Sequence, residues 1–176
     1  MENQTASVKK IGFNYGLILA LLVVGLSVIV YVLGLHLDQP WWQSVLNFIF
    51  MAVCIIYGLK AFKKDNGGFL SLGEALKTGL VIAIVSGIIG SIFTYIFITV
   101  IEPDFITQML EVTQEKMIEQ NPNMTQEQMD MAMGMTEKFM SPWIMFAMGL
   151  IASLFFGFII SLIAGLIMKQ PRPNHE

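Results

Sequence analysis

Apolar residues run along this chain in four long blocks set apart by polar stretches: Ile11 to Leu35, Val45 to Phe62, Leu76 to Ile101 and Pro142 to Met168. Each approaches or exceeds the ~20 residues that a helix needs to cross ~30 Å of hydrocarbon, so the pattern predicts four transmembrane helices. The second block is the shortest, and Trp41, Trp42 and Tyr57 stand near its ends, where amphipathic rings favour the water boundary. The remaining residues divide into 1–10 at the N-terminus, 36–44 between the first two spans, 63–75 between the second and third, 102–141 between the third and fourth, and 169–176 at the C-terminus. The expected fold class is all-α: two antiparallel hairpins of spanning helices, with a further helical hairpin formed by 102–141.

The third and fourth spans carry a finer period. Ala75, Gly79, Ala83, Gly87 and Ser91 recur every fourth residue, and so do Gly149, Ser153, Gly157, Ser161 and Gly165. In lipid there is little hydrophobic drive for helices to associate, so close approach rests on van der Waals packing, which residues with almost no side chain permit. The two ladders therefore predict two closely packed helices. Residues four apart advance about 400° around a helix and drift about 40° per rung. One straight neighbour is then not expected to use all five rungs, and part of each ladder should face a second helix or another copy of the chain. Gly12 and Gly16 make a single GxxxG pair in the first span, a weaker signal of the same kind.

The 102–141 excursion reads as two amphipathic helices. In the first, Ile106, Met109, Leu110, Thr113 and Met117 share a face opposite Glu111, Glu115 and Glu119. Asn121-Pro122-Asn123 breaks it, and Thr125 with Gln128 has the form of a capping box that starts the second. A hairpin this small buries little core alone, so its Met and Ile faces should meet each other, the membrane surface or a partner.

Charge orients the chain, because cytoplasmic loops hold the excess of Lys and Arg. Lys9, Lys10, Lys60, Lys63, Lys64, Lys77, Lys169 and Arg172 fall on one side, against Lys116 and Lys138 on the other. Both termini are expected in the cytoplasm, and the acid-rich hairpin outside. Lys9 and Lys10 open the first block as in a signal peptide, yet it runs 25 residues without a small-x-small cleavage pattern and is expected to be retained. Cys54 is the only cysteine, which excludes an intrachain disulfide and a cysteine-based metal cluster.

The candidate chemistry is sparse. Eight of the 13 methionines lie in the excursion, and thioethers select Cu(I). On a helix, however, Met129 and Met133 face one side and Met131 and Met135 nearly the other, so packing or partner contact is the expected role and no cofactor or metal is expected. The row Glu111, Glu115, Glu119 reads as a solvated face or partner surface. His36 is expected to be a solvated loop residue, and Glu74 and Lys77 are spaced to pair across one helical turn. No ionisable group lies deep in any span, which speaks against ion or proton pumping. Asn14, Asn47, Thr94, Ser86, Ser91, Ser153 and Ser161 are polar but neutral, suited to interhelical hydrogen bonds. No GxSxG, HExxH, P-loop or Cys-x-x-Cys pattern is present, and no enzyme activity or nucleic-acid partner is expected. Asn3-Gln4-Thr5 and Asn123-Met124-Thr125 match the glycosylation pattern weakly.

The run Gly68-Phe69-Leu70-Ser71-Leu72-Gly73-Glu74-Ala75-Leu76-Lys77-Thr78-Gly79 resembles the lead-in to the third helix of a bacterial membrane-protein family catalogued as domain of unknown function 4199. Glu102-Pro103-Asp104-Phe105, the polar insertion and the Gly157 to Ile163 stretch are similar too, so the likeness covers nearly the whole chain. It implies an integral membrane protein of bacteria, and carries no activity or site residues with it. The sequence thus points to a non-catalytic inner-membrane scaffold or accessory subunit. Its partners are the lipid bilayer and either another membrane protein or further copies of itself. The alternative is a small transporter or channel subunit for a neutral or lipid-like substrate.

Overall fold

The structure, a computed structural model, describes residues 7–172. The Asn3-Gln4-Thr5 pattern and the terminal acids Glu2 and Glu176 lie outside them. Among the described residues the chain forms α1 (Val8–Val32), α2 (Trp41–Asp65), α3 (Leu72–Ile96), α4 (Phe105–Gln120), α5 (Gln126–Phe139) and α6 (Pro142–Met168). α3 runs on through a π-helical turn, Phe97–Ile101. α1, α2, α3 with its π turn, and α6 are each long and apolar enough to cross a membrane.

Local chemistry sets the helix ends, which differ by a few residues from the apolar blocks. Ser7 accepts from the Lys10 amide and starts α1 within polar sequence. Gly34, at φ +72°, ends it early by returning the Leu35 amide to the Val30 carbonyl. α2 continues through Lys63 and Lys64 until Gly67 and Gly68, both at positive φ, turn the chain and send the Gly68 amide back to the Lys63 carbonyl. Ser71 with Glu74 and Thr125 with Gln128 each form a reciprocal capping box, at the starts of α3 and α5. Glu74 is thereby committed to Ser71, and also accepts from Asn66 at 3.3 Å, in place of the expected pairing with Lys77.

α3 is the common neighbour. It packs most extensively on α6, nearly as much on α1, and also touches α2. Against α6 the two ladders meet rung for rung: Ala75 with Gly165, Gly79 with Ser161, Ala83 with Gly157, Gly87 with Ser153, and Ser91 with Gly149. Every step of four along α3 is a step of four back along α6. The expectation that part of each ladder turns elsewhere is therefore overturned. A straight pair would lose register after a few rungs, and a contact period longer than 3.6 residues is the one that right-handed winding of two helices accommodates. Against α1 the contact is parallel, with Val81 lying over Gly12 and Val85 over Gly16.

The core occupies the half of the bundle near the chain's ends. There Ile11, Leu19, Cys54, Ile55, Leu59, Phe62, Ala75, Ile82, Ile160 and Ala164 pack together, and Gly58 makes room for the Ile82 side chain. The outer faces stay apolar: Leu21, Ile29, Phe155 and Ile167 are more than half exposed. Water would penalise that surface and a bilayer does not. Past Met168 the tail is stitched down. Leu70 and Gln170 exchange two backbone hydrogen bonds of 2.9 and 2.8 Å, and Lys63 Nζ donates to the Met168 carbonyl at the end of α6. Arg172 donates to Asn66 Oδ1 at 2.7 Å.

Candidate functional site

Small residues that permit close approach near the tail leave space at the opposite end of the bundle, below α4 and α5. Gly87, Gly90, Ser91, Gly149, Ala152 and Ser153 line a cavity of ≈ 440 Å³ there, together with Leu19, Val23, Phe48, Met51 and Phe156. All four spanning helices contribute to this lobe, and its walls are mostly apolar. A Cβ placed at Gly90 would touch nothing within 4 Å, which marks the space as open. A second lobe of ≈ 330 Å³ lies directly under the hairpin, lined by His36, Gln39, Gln43, Phe97, Phe105 and Met145 among others. Ser27, Ser44, Asn47, Phe93 and Thr94 line both lobes, so the two adjoin. Together they have the size of a small-molecule site. Among the described residues, no Lys, Arg, Asp or Glu lines either lobe.

The upper lobe is built by side chains that grip the loop between α1 and α2. His36 is not a solvated loop residue. Both its ring nitrogens are buried without a hydrogen-bond partner, and the ring lies among three aromatic neighbours. It stacks on Phe105 at 6.2 Å between centroids and meets Tyr31 and Phe97 edge-on at 5.0 and 6.3 Å. The Tyr31 hydroxyl donates to Glu102 Oε2 at 2.8 Å, while Gln108 Nε2 donates to the other carboxylate oxygen at 3.2 Å. Gln39 Nε2 donates to the Met109 sulfur at 3.6 Å. The loop is short, and α4 closes over it, which is why a residue expected in water is turned inward.

Two backbone departures border the same lobe. Gln39 has φ +47°, a left-handed conformation that few residues other than glycine adopt. The π-helical turn carries Phe97 and Ile98 into the lining. Strained residues and π turns of this kind gather at functional sites.

The polar residues of the spans divide into packers and lining residues. Ser91 Oγ donates to the Phe146 carbonyl at 3.2 Å and Ser153 Oγ to the Ala83 carbonyl at 2.9 Å, both between α3 and α6. Ser86 and Ser161 instead bond back to carbonyls of their own helices. Asn14 sits exposed on the outside of α1 and makes no interhelical bond. Asn47 and Thr94 line the cavity, and the buried Asn47 Oδ1 has no partner.

The hairpin separates its methionines by face. Met109 and Met129 are buried and Met133 is half-buried, while Met131 and Met135 are exposed. Met129 is therefore taken up inside the chain and offers no partner surface, a correction forced by the closure of α5 on α4. Glu111, Glu115 and Glu119 all lie exposed. No group of three or more His, Cys, Asp or Glu residues placed to hold a metal ion occurs among the described residues.

Helices that are apolar outside, closely packed at one end and hollow at the other define a four-span integral membrane protein. Residues 14–170 match the family described as "Protein of unknown function (DUF4199)", and the chain belongs to that family. The match runs from within α1 to the tail residue bridged to Leu70, so it takes in every residue of the cavity. No curated protein and no solved structure matches the chain.

Sequence reasoning missed His36, Gln39 and Tyr31 as one cluster. The signal present was an aromatic residue five positions before the loop histidine, and a polar Gln39-Pro40 step before Trp41.

Proposed function

We propose that the protein is a non-catalytic bacterial inner-membrane protein that holds a small lipid-like molecule between its helices, as a carrier or as the accessory subunit of a larger complex. The two adjoining lobes carry this reading, since the apolar one reaches into the bundle and the more polar one lies at its end. An amphipathic molecule matches that division. The spans hold no ionisable group at depth, which favours an uncharged passenger over an ion. Extraction of the purified protein followed by mass spectrometry tests the idea. Gly90→Leu adds bulk at a lining position where a Cβ would meet nothing within 4 Å. The wild type should carry one lipid-like molecule that this variant loses. Protein purified free of lipid, or an equally loaded variant, refutes the reading.

The hairpin supports a second role, contact with another membrane protein or a further copy. Ile118 on α4 and Met131, Met135 and Phe139 on α5 are 53, 67, 59 and 61% exposed, and the last three recur every fourth residue. Crosslinking from position 131 in intact membranes should capture a defined species, and a ladder of unrelated products counts against it. The excess of Lys and Arg on the tail side supports cytoplasmic termini. With Cys54 buried, cysteines introduced at Glu115 or Lys169 report the orientation. An impermeant maleimide should label the first and spare the second in intact cells, and the reverse result inverts the topology.

A further inference from the structure

We propose that the apolar lobe is entered from the side, through a slit between α2 and α6, by an acyl chain of a bilayer phospholipid, and that Phe48 and Phe156 part to admit it. The inference rests on the lipid-binding reading above and adds which part of the lipid enters and by which route.

Exposure locates the opening. Of the residues that line this lobe, Ser44 and Phe48 on α2 and Gly149, Ala152 and Phe156 on α6 are exposed, whereas those on α1 and α3 are buried or half-buried. On each helix they step along by about one turn and so form an edge. A lining residue that also reaches the outside stands at a rim, and this rim runs along α2 and α6. Among the spanning helices in substantial contact, these two also touch least. Toward the chain's ends the seam is shut, because Cys54, Ile55 and Leu59 of α2 join Ile160 and Ala164 of α6 in the core.

A single ring contact crosses the slit. Phe48 and Phe156 meet edge-on, with centroids 6.2 Å apart and planes at 88°. They are 49 and 44% exposed, so each lines the lobe and faces outward as well. Beyond the area it buries, an aromatic pair of this kind favours the closed arrangement by about two- to tenfold. An entering chain replaces that contact with its own.

The occupant follows from what lies outside the rim. Val45, Ile49 and Val53 on α2 and Ile151 and Phe155 on α6 are exposed, and they carry the lipid-facing surface up to its two edges. A chain that crosses there moves from hydrocarbon to apolar walls and never meets water. The polar head has no such route and stays at the membrane boundary on the hairpin side.

The test uses the full-length protein in phosphatidylcholine vesicles doped with a phosphatidylcholine that carries a diazirine on its sn-2 chain, either beside the carbonyl or at the methyl end. Irradiation and peptide mass spectrometry give the attachment sites. Leu19 and Ser86 line the lobe and are buried, so lipid outside the bundle does not reach them. The methyl-end probe should mark them and the carbonyl-end probe should spare them. Phe48→Cys with Phe156→Cys is then bridged in detergent by a short bis-methanethiosulfonate before reconstitution, while the buried Cys54 stays unreacted. Bridging should lower the marking of Leu19 and Ser86 about fivefold or more, as when most molecules are barred from the binding-competent state. Reducing the bridge should restore it in the same chains, which separates closure from misfolding. Undiminished marking behind an intact bridge, or failure of the two thiols to bridge, overturns this inference alone. Equal marking by both probes also overturns it, because the whole lipid then enters. Absence of marking by either probe in the wild type takes down the lipid-binding reading together with this one.

Discussion

The α3–α6 seam makes a graded prediction. An added Cβ at Gly79 would fall on the Ser161 hydroxyl and lie 2.6 Å from Ser161 Cβ, whereas ordinary contact begins at 3.4 Å. The helices must then part by about 0.8 Å, the difference of those two distances. A gap of 0.5–1 Å forfeits roughly a quarter to a half of each van der Waals contact it opens, and the neighbouring rungs Ala75·Gly165 and Ala83·Gly157 open with it. Gly79→Ala should therefore destabilise by about 1–3 kcal/mol, the usual range for overpacking. At the hollow end, Gly149 needs almost no movement, since its added Cβ would lie 3.3 Å from Ser91 Oγ, and Gly149→Ala should cost under ~0.5 kcal/mol. Swapping the rung, with Gly79→Ala and Ser161→Gly together, should recover most of the loss through a coupling of about 0.5–3 kcal/mol. Cys54 supplies the assay: it is buried and is the chain's only cysteine, so maleimide labelling during detergent denaturation reads unfolding directly. Equal costs at Gly79 and Gly149, or a double variant no better than the sum of the singles, would refute the seam as described.

Further outcomes follow from other contacts. Gly12→Val should destabilise by about 1–3 kcal/mol, because even its Cβ would lie 2.5 Å from Val81, while Gly25→Ala, with nothing within 4 Å, should be neutral by the same assay. Asn66→Ala strands Arg172 and Glu74 together and should cost about 1–3 kcal/mol. Arg172→Ala, at an exposed position, should cost less than ~1 kcal/mol, and hydrogen exchange at 169–172 should rise in both. Dilute peroxide should oxidise the exposed Met131 and Met135 well before the buried Met109 and Met129, as peptide mass spectrometry would show; uniform rates would mean that α4 and α5 do not pack.

Much of this architecture is legible in the residues, because a bilayer punishes any break in a span. Four apolar blocks become four helices, and the Thr125-Gln128 spacing becomes a capping box as its local chemistry requires. The ladders were legible as small-residue stripes. That all five rungs meet a single partner was not, since a straight-helix calculation omits winding. The cavity was hidden for a related reason: Gly87 and Gly90 look alike in sequence, yet one faces Ser153 and the other faces open space. His36 misled because solvent exposure of a short loop depends on what covers it, and α4 comes from about 70 residues further along, as the Gln39–Met109 bond shows. Glu74 had two local suitors in Lys77 and Ser71, and periodicity does not rank them. The tie from Gln170 to Leu70 joins residues with no shared pattern at all.

The position of α3 bears on how such a chain is made. Ribosomes deliver α1 and α2 to the membrane first, but the surface that Gly12 and Gly16 present is complementary to a helix not yet synthesised. The leading pair must wait, loosely associated, until α3 emerges and gives it something to close upon. A nascent chain halted before α3 would then be a preferred substrate for membrane quality control, whereas one halted just after it would already hold the junction of α1 with α3 and lack only the larger one with α6.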